Sequence, residues 1–341
     1  MEKILSVSIA AYNVGITLED ALTPFLQDSV RDFLDVMIID DGSKDNTAEI
    51  ARAYEQKYPN TFRLISKENG GWGSTLNTGM RNAKGKYFKQ LDGDDYYSPD
   101  NLADFLRFLS ETDADLIQSP FVSFEDESGA FLRQWELYDE KYDFFPYEKT
   151  VNIVDCKGII PAMHSTAIKT ELLTKNNIQI LEHCFYTDVE FVLKAFNVCK
   201  TVAFYEKPIY WYRLGRTGQS MSQMGVRKHY KDHQKMLMTM LDYYYNEVTE
   251  NYMKQLIAKR LDGVCGMQYT FYFALECTNI QKKELQEFDR LLLEKAPEFY
   301  YRVEGKPVAL LRKLHFKGYK IIAYLKMKKD KKLRRNIFEG T

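Results

Sequence analysis

The residues best suited to chemistry in this chain are carboxylates gathered at a turn. Tyr87-Phe88-Lys89-Gln90-Leu91 reads as a short strand that runs into Asp92-Gly93-Asp94-Asp95. Ser98-Pro99 then opens a helix, with serine as its cap and proline at its first position. Side chains alternate along a strand, so Asp92 and Asp94 are expected on one side. Two carboxylates there would seat a hard cation such as Mg²⁺, which favours one or two carboxylates plus waters and phosphate oxygens. Gly93 between them would let a phosphate approach the backbone. Taken alone, the acidic run reads more readily as a solvated turn, so its company matters.

Asp40-Asp41-Gly42-Ser43 is a second polar cluster and Tyr12-Asn13 a third, with a glycine-rich loop at Asn69-Gly70-Gly71-Trp72-Gly73-Ser74. The elements around them alternate. Apolar runs at Ile4–Ala11, Val36–Ile39, Phe62–Ile65 and Tyr87–Leu91 predict buried strands, and helical patterns lie between them. That alternation predicts an α/β layer with a mostly parallel sheet, whose ligands bind beyond the carboxyl ends of the strands. The polar clusters fall at those ends. A dinucleotide-dependent dehydrogenase is excluded, because the turn Ala11-Tyr12-Asn13-Val14-Gly15 lacks G-x-G-x-x-G.

Farther along, Asp115–Phe124 reads as a strand leading into an aromatic insertion, Gln134–Tyr147, and Ile159–Ser165 as another strand, containing His164. Thr187 and Glu190 have the spacing of a capping box, which places Asp188 at the first helical position, where the helix dipole favours a carboxylate. Arg213 and Arg216, with Ser220, lie in a loop suited to phosphate, since a guanidinium donates two parallel hydrogen bonds. From about Gly225 long helices are predicted. Leu256, Ile257, Leu261, Val264, Phe271 and Leu275 share one face, interrupted by Gln268, as a domain core or dimer surface. Val308, Leu311, Leu314, Ile321, Ile322 and Leu325 form a single last helix among many basic residues.

The 341 residues suggest two domains. The net charge of −1 hides an asymmetry: Lys306–Arg335 carries +11 and the remainder −12. A basic segment on an acidic body predicts contact with an anionic surface. The five cysteines are scattered, without a CxxC, as expected of reduced thiols. Met1–Ser6 does not read as a signal peptide, and no run has the 18 or so apolar residues of a membrane span. The expectation is a cytoplasmic protein that lies, at most, on the inner face of a membrane.

Ser8-Ile9-Ala10-Ala11-Tyr12-Asn13, Ile38-Ile39-Asp40-Asp41-Gly42-Ser43-Lys44-Asp45, Asn69-Gly70-Gly71 with Asn77-Thr78-Gly79, and Leu91-Asp92-Gly93-Asp94-Asp95 resemble, in order, the motifs of family 2 glycosyltransferases of the surface-polysaccharide and glycoconjugate type. The resemblance covers about residues 4–222. It implies a GT-A domain over 1–224, followed by a helical domain over 225–341. It also implies transfer of a sugar from a nucleotide-diphospho-sugar, expected to be a UDP-sugar, to a hydroxyl of a glycan, lipid-linked glycan or glycoprotein, with inversion and with Mn²⁺ or Mg²⁺. Carried over by motif, Ala11, Tyr12 and Asn13 touch the nucleotide through their backbone and Asp41 bonds the base, with Asp40, Asn69 and Gly70 nearby. Asp92 holds ribose and shares the metal with Asp94; Gly93 lies between, and Asp95 helps. His164 touches the diphosphate or acceptor, Asp188 is the general base, and Arg213, with Arg216 and Ser220, closes over the diphosphate. This chain departs from the family at Ala10, usually proline, at Thr166, often lysine, and at Thr187, usually glutamate. Partners implied by the resemblance are the sugar donor and the acceptor; the apolar stripe of the helical domain and the basic last helix themselves predict a second copy and a membrane surface, and no nucleic acid is expected. Two rival readings are a sugar-phosphate nucleotidyltransferase, which would need a glycine- and arginine-rich loop after the first strand, and a non-catalytic subunit of a glycosyltransferase complex.

Overall fold

The structure is a computed structural model that describes residues 2–137, 147, 149–156, 158–159, 161–215, 220–303 and 305–338, with the backbone alone for 330–338. It divides into two compact units, Met1–Arg216 and Thr217–Thr341.

In the first unit the strands are β1 (Leu5–Ala11), β2 (Leu34–Asp40), β3 (Phe62–Ser66), β4 (Tyr87–Asp92), β5 (Tyr96–Tyr97), β6 (Leu116–Gln118), β7 (Phe121–Glu125), β8 (Phe131–Trp135), β9 (Thr150–Asn152), β10 (Thr166–Lys169), β11 (Thr201–Phe204) and β12 (Tyr210–Leu214). Its helices are α1 (Leu18–Leu22), α2 (Thr47–Lys57), α3 (Trp72–Asn82), α4 (Pro99–Glu111), α5 (Thr170–Lys175) and α6 (Asp188–Asn197). The main sheet runs β3-β2-β1-β4-β10-β6-β11-β9. β3, β2, β1 and β4 are mutually parallel, as the alternating strand and helix pattern predicts. β10 enters antiparallel between β4 and β6. A second sheet, β5-β12-β7-β8, stands at the carboxyl end of β4. β1 and β2 are buried along almost their whole length, on both faces, the polar Ser6, Ser8 and Asp35 included.

Two expectations are corrected here, and a third falls largely outside the described residues. Asp115–Phe124 is not one strand: Ser119-Pro120 divides it into β6, in the main sheet, and β7, in the second. Proline has no N–H for a continuing ladder, and the neighbouring groups turn to other partners, Ser119 N–H to Ser165 O and Ile209 N–H to Pro120 O. The strand expected over Ile159–Ser165 instead begins at Thr166; Met163–Ser165 is a turn, closed by Thr166 N–H to Met163 O. The aromatic insertion is described only at Gln134–Leu137 and Tyr147.

The second unit comprises α7 (Gln223–Asn246), α8 (Asn251–Phe273), α9 (Asn279–Lys295), α10 (Pro297–Arg302), α11 (Lys306–Lys313) and α12 (Tyr319–Phe338). Ser222 caps α7 through Gly225 N–H, and Thr278 with Gln281 forms a capping box on α9. The polar interruption on α8 is paired: buried Gln268 accepts from His233 Nδ1 at 2.6 Å and donates to Tyr230 O at 3.1 Å. The single last helix is corrected to two. After Lys313 the chain passes through His315 and Phe316 at positive φ and Gly318 at φ 83°, so that the Phe316 ring turns inward. No described helix is long and apolar enough to cross a membrane.

Candidate active site

β1, β2 and β4 end side by side, and Ala11 pairs with Asp40 while Ala10 pairs with Asp92. Ala11 is buried at the end of β1, where its carbonyl accepts Asp41 N–H. Asn13, at φ 53°, donates its N–H to Ser43 Oγ and accepts Lys44 N–H through Oδ1, while the Tyr12 ring stands in solvent. Asp40 accepts Ser43 N–H, closing the turn after β2.

The buried Asp41 carboxylate is the hub of the glycine-rich loop. It accepts Lys67 Nζ at 2.7 Å, Gly70 N–H at 2.9 Å and Gly71 N–H at 2.8 Å, while Asn69 Nδ2 donates to Asp41 O. The loop in turn positions the segment before α6. Gly70 O accepts His183 N–H at 2.6 Å. Asn77 bonds Ile180 through both its N–H and its carbonyl, and Glu182 as well. A Cβ on Gly73 would lie 2.1 Å from Leu181 O, so only glycine admits this approach. The segment ends at Asp188, the first residue of α6 and half-buried. The capping box predicted there is absent. Thr187 already has helical backbone angles, and Glu190 instead accepts Leu181 N–H and pairs with Lys194.

Asp92 closes β4, and Asp95 N–H donates back to Asp92 O, so Asp94 belongs to a turn and not to the strand. The two acids therefore meet through the turn and not through strand alternation. The need for glycine at 93 is also steric: a Cβ would lie 2.9 Å from Ala10 O and 2.8 Å from Val14 Cγ2. Asp92 Oδ1 accepts Trp72 Nε1 at 2.7 Å. Burial, and then the charge of Asp94, push the Asp92 pKa up to about 7, and Asp188 adds to the rise. Asp92 thus feels the charges of both Asp94 and Asp188. Burial first, and then Asp95, Asp92, Asp94 and Asp188, raise the Tyr212 hydroxyl. Asp95 points elsewhere, accepting Tyr210 OH at 2.6 Å and Arg213 N–H at 2.7 Å. Burial first, and then Asp94 and Asp92, push its carboxyl well above the usual range.

Two predicted contacts to phosphate have other engagements. Arg213 donates to Asp94 O, Asp126 and Asp20 at 2.6, 2.9 and 2.8 Å, tying β12 to the acidic turn and to α1. The His164 ring lies among Phe121, Tyr210 and Tyr212, and burial and the nearby Lys89 push its pKa down to about 3, so it is neutral. Ser220 precedes α7 in the second unit, and Arg216 lies outside the described residues. Sequence reasoning missed Trp72, Lys67 and Tyr212. Trp72 carried a signal, an indole N–H directly after Gly70-Gly71.

Among the described residues no three His, Cys, Asp or Glu side chains form a group that could hold a metal ion. Asp92 and Asp94 nevertheless fit a hard cation of the kind that keeps waters and takes phosphate oxygens, since crowded like charges are what such an ion relieves.

The profile named glycosyl transferase family 2 matches residues 6–173. The minor teichoic acid biosynthesis protein GgaB of Bacillus subtilis is 27% identical over 226 residues, 64% of this chain and 24% of GgaB. The chain spans only 21 to 33% of the length of three leading curated relatives. Among solved structures, S. aureus TarS 1-349 in complex with UDP-GlcNAc superposes with a TM-score of 0.66 at 18% identity, over 95% of this chain and 92% of that one. The mannosyltransferase PcManGT of Pyrobaculum calidifontis, in complex with GDP-Man and Mn²⁺, gives 0.51 at 14% identity, over 96% and 87%. These likenesses show the fold: a GT-A-like α/β unit followed by helices.

Proposed function

We infer the reaction from the premise that this chain belongs to glycosyl transferase family 2, through residues 6–173: it transfers a sugar from a nucleotide-diphospho-sugar to an acceptor hydroxyl with inversion. What supports this reading is that Asp92, where a parallel strand of the main sheet ends, feels the charges of both Asp94 and Asp188. The UDP-GlcNAc held by TarS supports a UDP-sugar donor, and the Mn²⁺ of PcManGT supports a divalent cation. Asp92 and Asp94 would hold that ion, Mn²⁺ or Mg²⁺. When bound, it supplies positive charge to offset what develops on the leaving diphosphate.

The chain's own residues do the rest. Trp72 orients Asp92, while Arg213 and Asp95 fix the turn that carries Asp94. Asp41, Asn77 and Gly73 hold the segment that presents Asp188. Asp188 takes the proton of the acceptor hydroxyl as its oxygen attacks the anomeric carbon and the bond to the diphosphate oxygen breaks. The acceptor is a hydroxyl of a glycan, lipid-linked glycan or glycoprotein. Arg213 acts in this scheme as a positioning residue.

Asp188→Asn tests the proposal. Turnover should fall by about 10²- to 10⁴-fold, while donor affinity, measured by calorimetry with Mn²⁺ present, stays within about twofold. Unchanged turnover would remove Asp188 from the reaction.

A further inference from the structure

We propose that the outer face of α11 and α12 docks on an anionic lipid bilayer, lying in its surface without crossing it. This goes beyond glycosyl transfer and does not depend on it. Both helices have an inner side: Leu311, Tyr319, Ile322 and Ala323 are buried in the second unit. Their outer side is also apolar. Leu310, Leu314, Ile321, Tyr324 and Leu325 are each between 42 and 66% exposed. The pair 310/314 and the set 321/324/325 follow helical spacing, so each set forms a stripe and not a scatter.

Charge identifies the occupant. Lys313, Lys317, Lys320, Lys328 and Lys329 are exposed around these side chains, and there is no acidic residue from Lys306 to Lys329. A second copy placed on this face would bring lysine against lysine. Anionic headgroups complement the lysines, while the boundary with the acyl chains takes the leucine, isoleucine and tyrosine side chains.

The test floats the intact chain, without nucleotide sugar, on vesicles of phosphatidylcholine alone or with about one third phosphatidylglycerol. Binding to the anionic vesicles should be at least about tenfold tighter, and should weaken with salt. The variant Ile321→Ser/Tyr324→Ser/Leu325→Ser should lose about tenfold or more of that binding. Lys313→Gln/Lys317→Gln/Lys320→Gln/Lys328→Gln should bind both vesicles alike. Circular dichroism checks that each variant keeps its helices. Equal flotation of the serine variant, or equal binding of the native chain to neutral and anionic vesicles, overturns the proposal. So does concentration-dependent self-association abolished by the serine substitutions, which would assign the face to a second copy. Since no donor is present, none of these outcomes bears on Asp188.

Discussion

Asp41 differs from an ordinary ligand-binding acid in that its carboxylate is already bonded to Lys67 and to the N–H groups of Gly70 and Gly71. An amide in its place keeps the shape but loses the charge and sets an NH₂ against one of those donors. Asp41→Asn should therefore cost about 2–3 kcal/mol in urea denaturation, besides weakening the donor site. Weakened donor binding with native stability would instead leave Asp41 as a base contact alone. Trp72 supports a prediction about pH. Its indole N–H stabilises the charged form of Asp92, which burial and Asp94 already hold up at about 7. Trp72→Phe removes that donor, so the Asp92 pKa rises further and the ionised form appears only at higher pH. The acid limb of the kcat/KM profile should then move to higher pH, and an unmoved limb would separate Asp92 from the limiting ionisation. At this scale the acids were legible in the sequence, as polar clusters that each end an apolar run. Their partners were not, since Trp72 lies 20 positions from Asp92 and Tyr210 lies 115 from Asp95.

Elements were legible where local pattern and tertiary packing agree. β1, β2 and β4 are buried along almost their whole length, and the apolar residues within them marked the strands even though Ser6, Ser8, Lys89 and Gln90 are buried beside them. β10 was misplaced because its strand character comes from β4 and β6, which flank it from distant parts of the chain. Gly73 tests how the elements position the base. A methyl group there meets the Leu181 carbonyl, so Gly73→Ala should cost about 1–3 kcal/mol and lower turnover by displacing the segment before Asp188. Wild-type turnover would show that this close approach is dispensable. In the second unit His233 gives a pH dependence to the α7–α8 pair. Gln268 is oriented by its bond to Tyr230 O, so its carbonyl accepts His233 Nδ1–H, and burial pushes the imidazole pKa down to about 4. The folded value lies below the unfolded one, about 6.5. The unfolded chain therefore binds the extra proton first, and stability is lost as pH falls from about 6.5 to 4. His233→Gln should flatten that part of the stability–pH curve; an unchanged slope would exclude His233 as its source.

At the scale of the whole molecule, length and the change of pattern near Gly225 foretold a helical second part, and TarS matches over 95% of the chain. What the pattern did not convey is how that part is stabilised internally. Its core is built from Leu237, Met240, Ile257, Leu261, Leu285, Phe288 and Phe299, all but inaccessible to solvent. Across it runs a polar link that no periodicity reveals. Arg312 pairs with Asp289 at 2.8 Å, donates to Tyr269 OH at 2.7 Å, and lies 3.5 Å from the centroid of the Tyr300 ring. A hydrophobic core of its own is what an independent folding unit requires. A fragment of residues 217–341 should therefore give a helical circular dichroism spectrum and melt cooperatively. Removing one partner of a largely buried pair leaves the other charge uncompensated, so Arg312→Ala should lower the fragment's stability by about 3 kcal/mol. Arg312→Lys should recover part of this, since it keeps the charge but not the planar fork that meets both Asp289 and Tyr269. A fragment that melts without a cooperative transition would show that the core of this unit does not suffice. An Arg312→Ala fragment as stable as its parent would show that the link across it carries no weight.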